Sequence, residues 1–182
     1  MERSLTLIAL FAALIAALGL IPKLTLAFGV PITAQSLGVM LCGTVLGARR
    51  GGLAALLFVA LVLLGLPLLA GGRGGLGILA TPSVGFVIGF PIAAFFTGFC
   101  MEQMPRMQVG WAACISAALG GILVLYFFGI YGLMMMLQKG PVEAAALVVA
   151  FVPGDIIKAI LAGVITAGLA RARPASVLSR LQ

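Results

Sequence analysis

Residues 151–161 read FVPGDIIKAIL and carry an acid, Asp155, and an amine, Lys158, inside an apolar run. A charge carried into hydrocarbon costs about 2.5–3.5 kcal/mol even on lenient insertion scales, so such residues usually face a bundle interior and serve a function. Three positions apart on a helix, the two share a face and can reduce each other's burial cost. One reading is a stabilising ion pair, with Asp155 also suited to a helix N-terminus just after Pro153. The other is a pair of ligand-binding groups. With so few other charges in the apolar segments, the second reading is preferred.

The surrounding composition defines the setting. Of 182 residues, 63% are hydrophobic and 8% charged, and the mean hydropathy is +1.30, whereas a soluble domain is roughly 25% charged. This is the composition of an integral membrane protein. Eleven Lys and Arg against four acids give +7, but the basic residues stand singly or in pairs between apolar runs, as topology signals do, and nucleic acid is not an expected partner. There is no histidine, which removes Ser-His catalysis and His-ligated metals. Cys42, Cys100 and Cys114 lie in apolar runs without a paired spacing and read as small buried residues. No catalytic residue, metal site or cofactor is expected.

Apolar runs punctuated by Gly, Pro and charge predict an all-α bundle of six transmembrane helices. They fall roughly at Leu5–Ile21, Ala34–Ala48, Gly51–Leu66, Pro82–Met101, Val109–Leu137 and Pro153–Ala170, within one substrate-capture domain spanning 1–182. Crossing hydrocarbon takes about 20 helical residues, so helix two is short and must be screened by neighbours. Helix five is long and is expected to tilt or to break near Gly129 and Gly132, leaving an outer segment. Arg3 before an apolar run also resembles a signal peptide, but no small-x-small site follows, and the first helix is kept as mature sequence. An N-in, C-in orientation places Arg3, Arg49, Arg50, Arg106, Arg171, Arg173 and Arg180 inside and Lys23, Arg73 and Lys139 outside. Asp155, Lys158, Tyr126, Tyr131 and two polar linkers then gather toward the outer face, which predicts a pocket opening outward.

Several further signals have two readings. The loop GGRGGLG, residues 71–77, matches a dinucleotide fingerprint literally, but it joins two membrane helices without a βαβ unit, so that match is rejected. Its glycines either form a flexible turn or let backbone N–H groups approach a ligand. Arg73 within it is a surface charge or an anion anchor. Thr33 and Gln35 follow Pro31, where the chain is expected to be extended; Gln35 suits an amide-like ligand, and a helix cap is the commoner use of such residues. Ala9, Ala13 and Ala17 form a smooth face on helix one, for internal packing or for a separate membrane partner, whereas Gly85 and Gly89 read as internal packing.

With GVPITAQSLGVMLCGTVLGARRGGLA (29–54), GLPLLAGGRGGLGILATPSVGFVIGF (65–90) and FVPGDIIKAILAGVI (151–165) in view, the chain resembles the BioY family, the biotin-specific S components of energy-coupling factor (ECF) transporters. The resemblance implies a bacterial cytoplasmic-membrane protein that captures biotin from outside. It implies partners as well: a transmembrane T component, met through Ala9, Ala13 and Ala17, and two ABC-type ATPases. Membrane lipid surrounds it, and self-association is left open. By the same similarity, ligand contacts fall on Thr33, Gln35, Gly71, Gly72, Arg73, Gly75, Tyr126, Asp155 and Lys158, with Arg73 the least secure because the family's loop varies there. The chain contains no Walker A sequence, so ATP hydrolysis belongs to another subunit and the chain itself is not expected to be an enzyme.

Biotin offers two ureido N–H donors, a carbonyl, an apolar ring and chain, and a carboxylate. Asp155 is expected to accept from the ureido N–H groups, Gln35 or Lys158 to donate to the carbonyl, and Tyr126 to help enclose the ring. Lys158, Arg73 and glycine N–H groups compete for the carboxylate. The first external linker, hinged at Gly29 and Pro31, is a candidate lid. A self-sufficient secondary carrier is the alternative, but Asp155 is the one convincing intramembrane acid and no repeat is evident. A membrane enzyme would have to use Asp155 and Lys158 as its catalytic pair.

Overall fold

The computed structural model describes residues 2–22, 24–25 and 30–180; Lys23 and Gly29 lie outside them, as do the side chains of Arg3 and Pro31. Among the described residues there are seven α-helices. They are α1 (Glu2–Leu18), α2 (Gln35–Leu46), α3 (Ala48–Leu63), α4 (Val84–Glu102), α5 (Val109–Leu137), α6 (Pro141–Val149) and α7 (Val152–Ala172). Two-residue strands β1 (Leu24–Thr25) and β2 (Pro31–Ile32) pair antiparallel ahead of α2, so the chain after Pro31 is extended as its sequence predicts. Three helices, α4, α5 and α7, are long and apolar enough to cross a membrane, and α1 and α2 contain shorter apolar stretches. Large apolar side chains such as Leu10, Ile88, Phe127 and Val164 cover the exterior. A bundle apolar outside as well as inside has lipid as its solvent, and the chain is a multi-pass membrane protein.

Helix α2 has 12 residues, and almost all of them are buried. It is screened by its neighbours, as its shortness requires. Gly47, with φ of 84°, lets α2 turn directly into α3 without a loop. The Ala48 N–H at the start of α3 donates to Glu102 Oε1 at 2.7 Å, which ties the α2–α3 corner to the end of α4. Arg180, from the C-terminal segment, donates to the carbonyls of Met104 (2.6 Å) and Met107 (3.3 Å) at this same end of the bundle.

Two expectations need correction. Helix five does not break near Gly129 and Gly132, because both glycines serve close packing: a Cβ on Gly132 would stand 2.6 Å from the Gly85 nitrogen, and one on Gly129 would strike the Phe86 ring. The irregularity comes earlier, as a π-helical turn over Leu119–Val124 where Gly120 and Gly121 meet Thr97 and Met40. The outer segment is a separate helix, α6, absent from the six expected. It starts at Pro141 and is followed by a tight turn in which the Phe151 N–H reaches the Val148 carbonyl at 3.0 Å. That corner contains no Gly or Pro before Phe151, so the apolar run conceals it.

Gly85 and Gly89 pack internally on α5 as expected, with the Phe128 carbonyl where a Gly85 side chain would be. Gly85→Ala should therefore destabilise the bundle by about 1–3 kcal/mol. Gly168→Ala, which meets nothing within 4 Å, should leave stability nearly unchanged; thermal unfolding in detergent checks the pair of variants.

Candidate functional site

Asp155 lies in the first turn of α7, two residues after Pro153, and is only 4% exposed. Lys158 Nζ lies 2.8 Å from Asp155 Oδ1, the ion pair that their spacing allows. Burying such a pair is favourable only if its remaining hydrogen-bonding capacity is met, and two other helices help to meet it. Ser36 at the start of α2 donates to Asp155 Oδ1 at 3.2 Å and accepts from Lys158 Nζ at 3.0 Å. Tyr126 on α5 donates its hydroxyl to Asp155 Oδ2 at 2.7 Å. Three helix segments distant in sequence thus converge on one carboxylate.

This cluster borders a cavity of about 60 Å³, several times the roughly 10–15 Å³ that one water needs. Thr33, Gln35, Ser36, Arg73, Asp155 and Lys158 contribute its polar wall, while Phe86 and Phe90 of α4, Leu125 of α5 and Phe151 enclose it with apolar surface. It opens at the end of the bundle opposite the Gly47 corner, Glu102 and Arg180.

Gln35, 2% exposed, is committed to the fold. Its Nε2 donates to the carbonyls of Ile15 (3.2 Å) and Leu68 (3.1 Å), and its Oε1 accepts the Ala70 N–H at 3.0 Å. One amide therefore joins α1, α2 and the loop after α3. Thr33 Oγ1 accepts the Gln35 N–H at 3.3 Å, bracketing the start of α2.

Of the two readings of the glycine loop, the geometry is that of a turn. Gly71 and Gly72, with φ of 82° and 69°, form an exposed turn closed by Leu69 and Arg73. The Gly72 N–H donates to the Leu69 carbonyl at 2.9 Å and the Gly75 N–H to the Val62 carbonyl at 2.8 Å. These N–H groups hold the loop itself, and what reaches the cavity is Arg73. Its Nε donates to the Ala70 carbonyl (3.3 Å) and its Nη1 to Ser83 Oγ (3.2 Å). Partial burial lowers the Arg73 pKa from its ordinary value.

Other predicted residues lie elsewhere. Tyr131 is 60% exposed on the outer surface, away from the cluster. Ala9, Ala13 and Ala17 are exposed along α1, whereas Ala12 beside them is buried. Ser36, Ser83 and the phenylalanines also line the cavity, although no sequence pattern marks them. Ser36 follows Gln35 directly, but nothing in a lone serine signals a partner on α7.

A helical bundle apolar on its outside, with a buried charged pair and hydrogen-bonding side chains at one mouth, is a membrane-embedded small-molecule-binding protein. The chain belongs to the BioY family, whose description, "BioY family", matches residues 2–175. It is 51% identical over 189 residues to a protein of Rhodobacter capsulatus named "Biotin transporter BioY", covering 99% of this chain and 100% of that one. A protein of the same name from Rhizobium etli is 50% identical, covering 90% of each. A crystal structure described as the S-component for biotin from an ECF-type ABC transporter superposes with a TM-score of 0.87 at 33% identity, covering 93% of this chain and 92% of that one.

Gln35→Leu should remove the three hydrogen bonds that join the Ile15 and Leu68 carbonyls and the Ala70 N–H to one side chain, and losing buried bonds of this kind costs about 1–3 kcal/mol. The expected result is a clear drop in the unfolding temperature of the purified protein. An unchanged temperature would refute the clamp.

Proposed function

We propose that this chain is the biotin-binding S component of an ECF-type uptake transporter: a single capture domain that binds biotin from the outer side of a bacterial cytoplasmic membrane and delivers it inward. The observation that carries this reading is the hydrogen-bonding balance of the buried pair. A carboxylate has about four acceptor positions and an ammonium three donors. Asp155 Oδ1 takes Ser36 and Lys158, and Oδ2 takes Tyr126. Asp155 can accept one further N–H, and Lys158, already donating to Asp155 and Ser36, can donate one more. An acceptor beside a donor complements the N–H and C=O of a cyclic urea, the head of biotin.

Phe86, Phe90 and Phe151 supply the apolar enclosure that the ring and chain of biotin require. Thr33 and Arg73 complete the polar wall, with Arg73 the cation nearest the loop for the ligand carboxylate. Gln35 and the glycines Gly71, Gly72 and Gly75 act one step back, by holding that wall. Charge-assisted bonds in a site closed to water are the strong kind.

In the membrane, α6 with nine residues is far short of the roughly 20 needed to cross, which leaves six helices to span. The arginines at the end away from the cavity, Arg49, Arg50, Arg106, Arg171, Arg173 and Arg180, favour that end as cytoplasmic and therefore an N-in, C-in topology. The exposed alanines of α1, Ala9, Ala13 and Ala17, suit close approach by a T-component helix. Transport energy then comes from ATPases in the assembly, and this chain acts as a binding subunit rather than an enzyme.

Biotin should raise the unfolding temperature of the purified protein, by the equivalent of about 2.7 kcal/mol at a hundredfold excess over Kd, while other vitamins should not. Asp155→Asn and Lys158→Ala should each weaken equilibrium biotin binding at least tenfold, since bonds to charged groups contribute about 1.5–3 kcal/mol. Unchanged affinity in both would remove the pair from the site.

A further inference from the structure

A second cavity, of about 550 Å³, lies on the flank of the bundle between α5 and α7. Gly110 and Gly163 bring these helices into backbone contact: a Cβ on Gly163 would lie 2.8 Å from the Gly110 carbonyl oxygen. The contact forms the back of a groove, with Trp111, Ile160 and Val164 as walls, 65%, 51% and 64% exposed. Gly168, with nothing within 4 Å of its missing side chain, keeps the floor open. From Ile160 to Arg171 the groove runs about 16 Å along α7, close to one leaflet, half of a hydrocarbon core of about 30 Å.

The groove changes chemistry along its length. Its upper part is apolar, and its lower mouth is formed by Gln108 and the exposed Arg171. Arg106 and Arg173 stand two residues from these, and Arg180 is bonded to the adjacent Met104 and Met107 carbonyls. None of the four acids lines the groove: Asp155 and Glu143 belong to the other end, Glu102 accepts the Ala48 N–H, and Glu2 begins α1. An apolar slot one leaflet long that ends in cations and an interfacial tryptophan has the polarity of an anionic amphiphile.

We propose that this groove binds an anionic phospholipid of the surrounding bilayer, one acyl chain lying between Trp111 and Val164 and the phosphate headgroup held at Arg171. A second copy of the chain fits less well, because a two-fold contact here would bring like-charged mouths together without an acid to separate them. The site is separate from the Asp155 cavity, and its occupancy does not depend on which ligand that cavity takes.

Trp111 is the chain's one tryptophan, so its fluorescence reports on this groove directly. The protein would be reconstituted in phosphatidylcholine vesicles doped with either phosphatidylglycerol or phosphatidylcholine carrying brominated acyl chains. Brominated phosphatidylglycerol should quench Trp111 at about a fivefold lower mole fraction, the equivalent of about 1 kcal/mol for one arginine at the membrane surface. Arg171→Gln should abolish that preference while both lipids still quench. Gly168→Leu, which fills the floor, should reduce quenching by both, and unfolding temperatures near wild type would show that both variants fold. Equal quenching by the two lipids in the wild-type protein, or a preference that survives Arg171→Gln, would overturn the proposal. So would quenching that falls as protein density in the membrane rises, which would mean that a second copy covers the groove.

Discussion

The Asp155 carboxylate is the group that the rest of the site end depends on. Its charge is buried at the start of α7, where an isolated ion would be untenable, and a lysine alone would leave part of its capacity unmet. Ser36 and Tyr126 supply what is missing. Because these partners come from α2 and α5, satisfying one carboxylate fixes three helix segments against one another. The cavity lies beside that junction, so the cluster that shapes the fold here also borders the cavity. Breaking a buried pair typically costs about 3–5 kcal/mol, and an exchange at Asp155 or Lys158 therefore acts on folding and on binding together.

Gln35 provides a second junction of the same kind with neutral groups. It gathers α1, α2 and the loop after α3, and that loop in turn presents Arg73 toward Ser83, just ahead of α4. Polar bonds are thus concentrated at one end, while glycines such as Gly85, Gly89 and Gly132 bring the helices together through the apolar length of the bundle. The division follows from the solvent. Lipid offers no hydrophobic drive between helices, so close approach of small residues does the packing in the middle, and specific hydrogen bonds can be afforded only where they are fully matched.

The sequence was legible where membrane physics leaves few choices. Charges are so rare in apolar segments that Asp155, Lys158 and their capacity to pair stand out, and the apolar runs Pro82–Met101, Val109–Leu137 and Pro153–Ala170 mark the three long helices to within two residues. What the sequence does not display depends on contacts between distant segments. Ser36 and Asp155 are 119 positions apart, and a serine at a helix start looks like a cap until α7 is placed beside it. Gln35 read as a ligand donor for the same reason, since its partners Ile15, Leu68 and Ala70 are invisible along the chain. Gly129 and Gly132 read as breakers because glycine is permissive, yet each is required by a neighbour on α4. The helix at Pro141–Val149 was hidden by a corner that turns without the usual residues.

The partners that Asp155 and Lys158 already have within the fold also bear on how such a site can hold a ligand and let it go. Had Asp155 faced the cavity with no partner but Lys158, a ligand would bind largely by relieving an unmet charge, and its departure would restore that penalty. With Ser36 and Tyr126 in place, departure strands no bare ion in the bundle. Affinity must then come from the added hydrogen bonds and from the apolar enclosure by Phe86, Phe90 and Phe151. Enclosure is the contribution that movement of neighbouring segments can withdraw, since it requires surfaces to close around the ligand, whereas the carboxylate cluster persists within the fold. A binding protein that must also release its cargo gains from this separation: under the proposed function, the fixed cluster would select the head group and the closing apolar surfaces would set how long it stays.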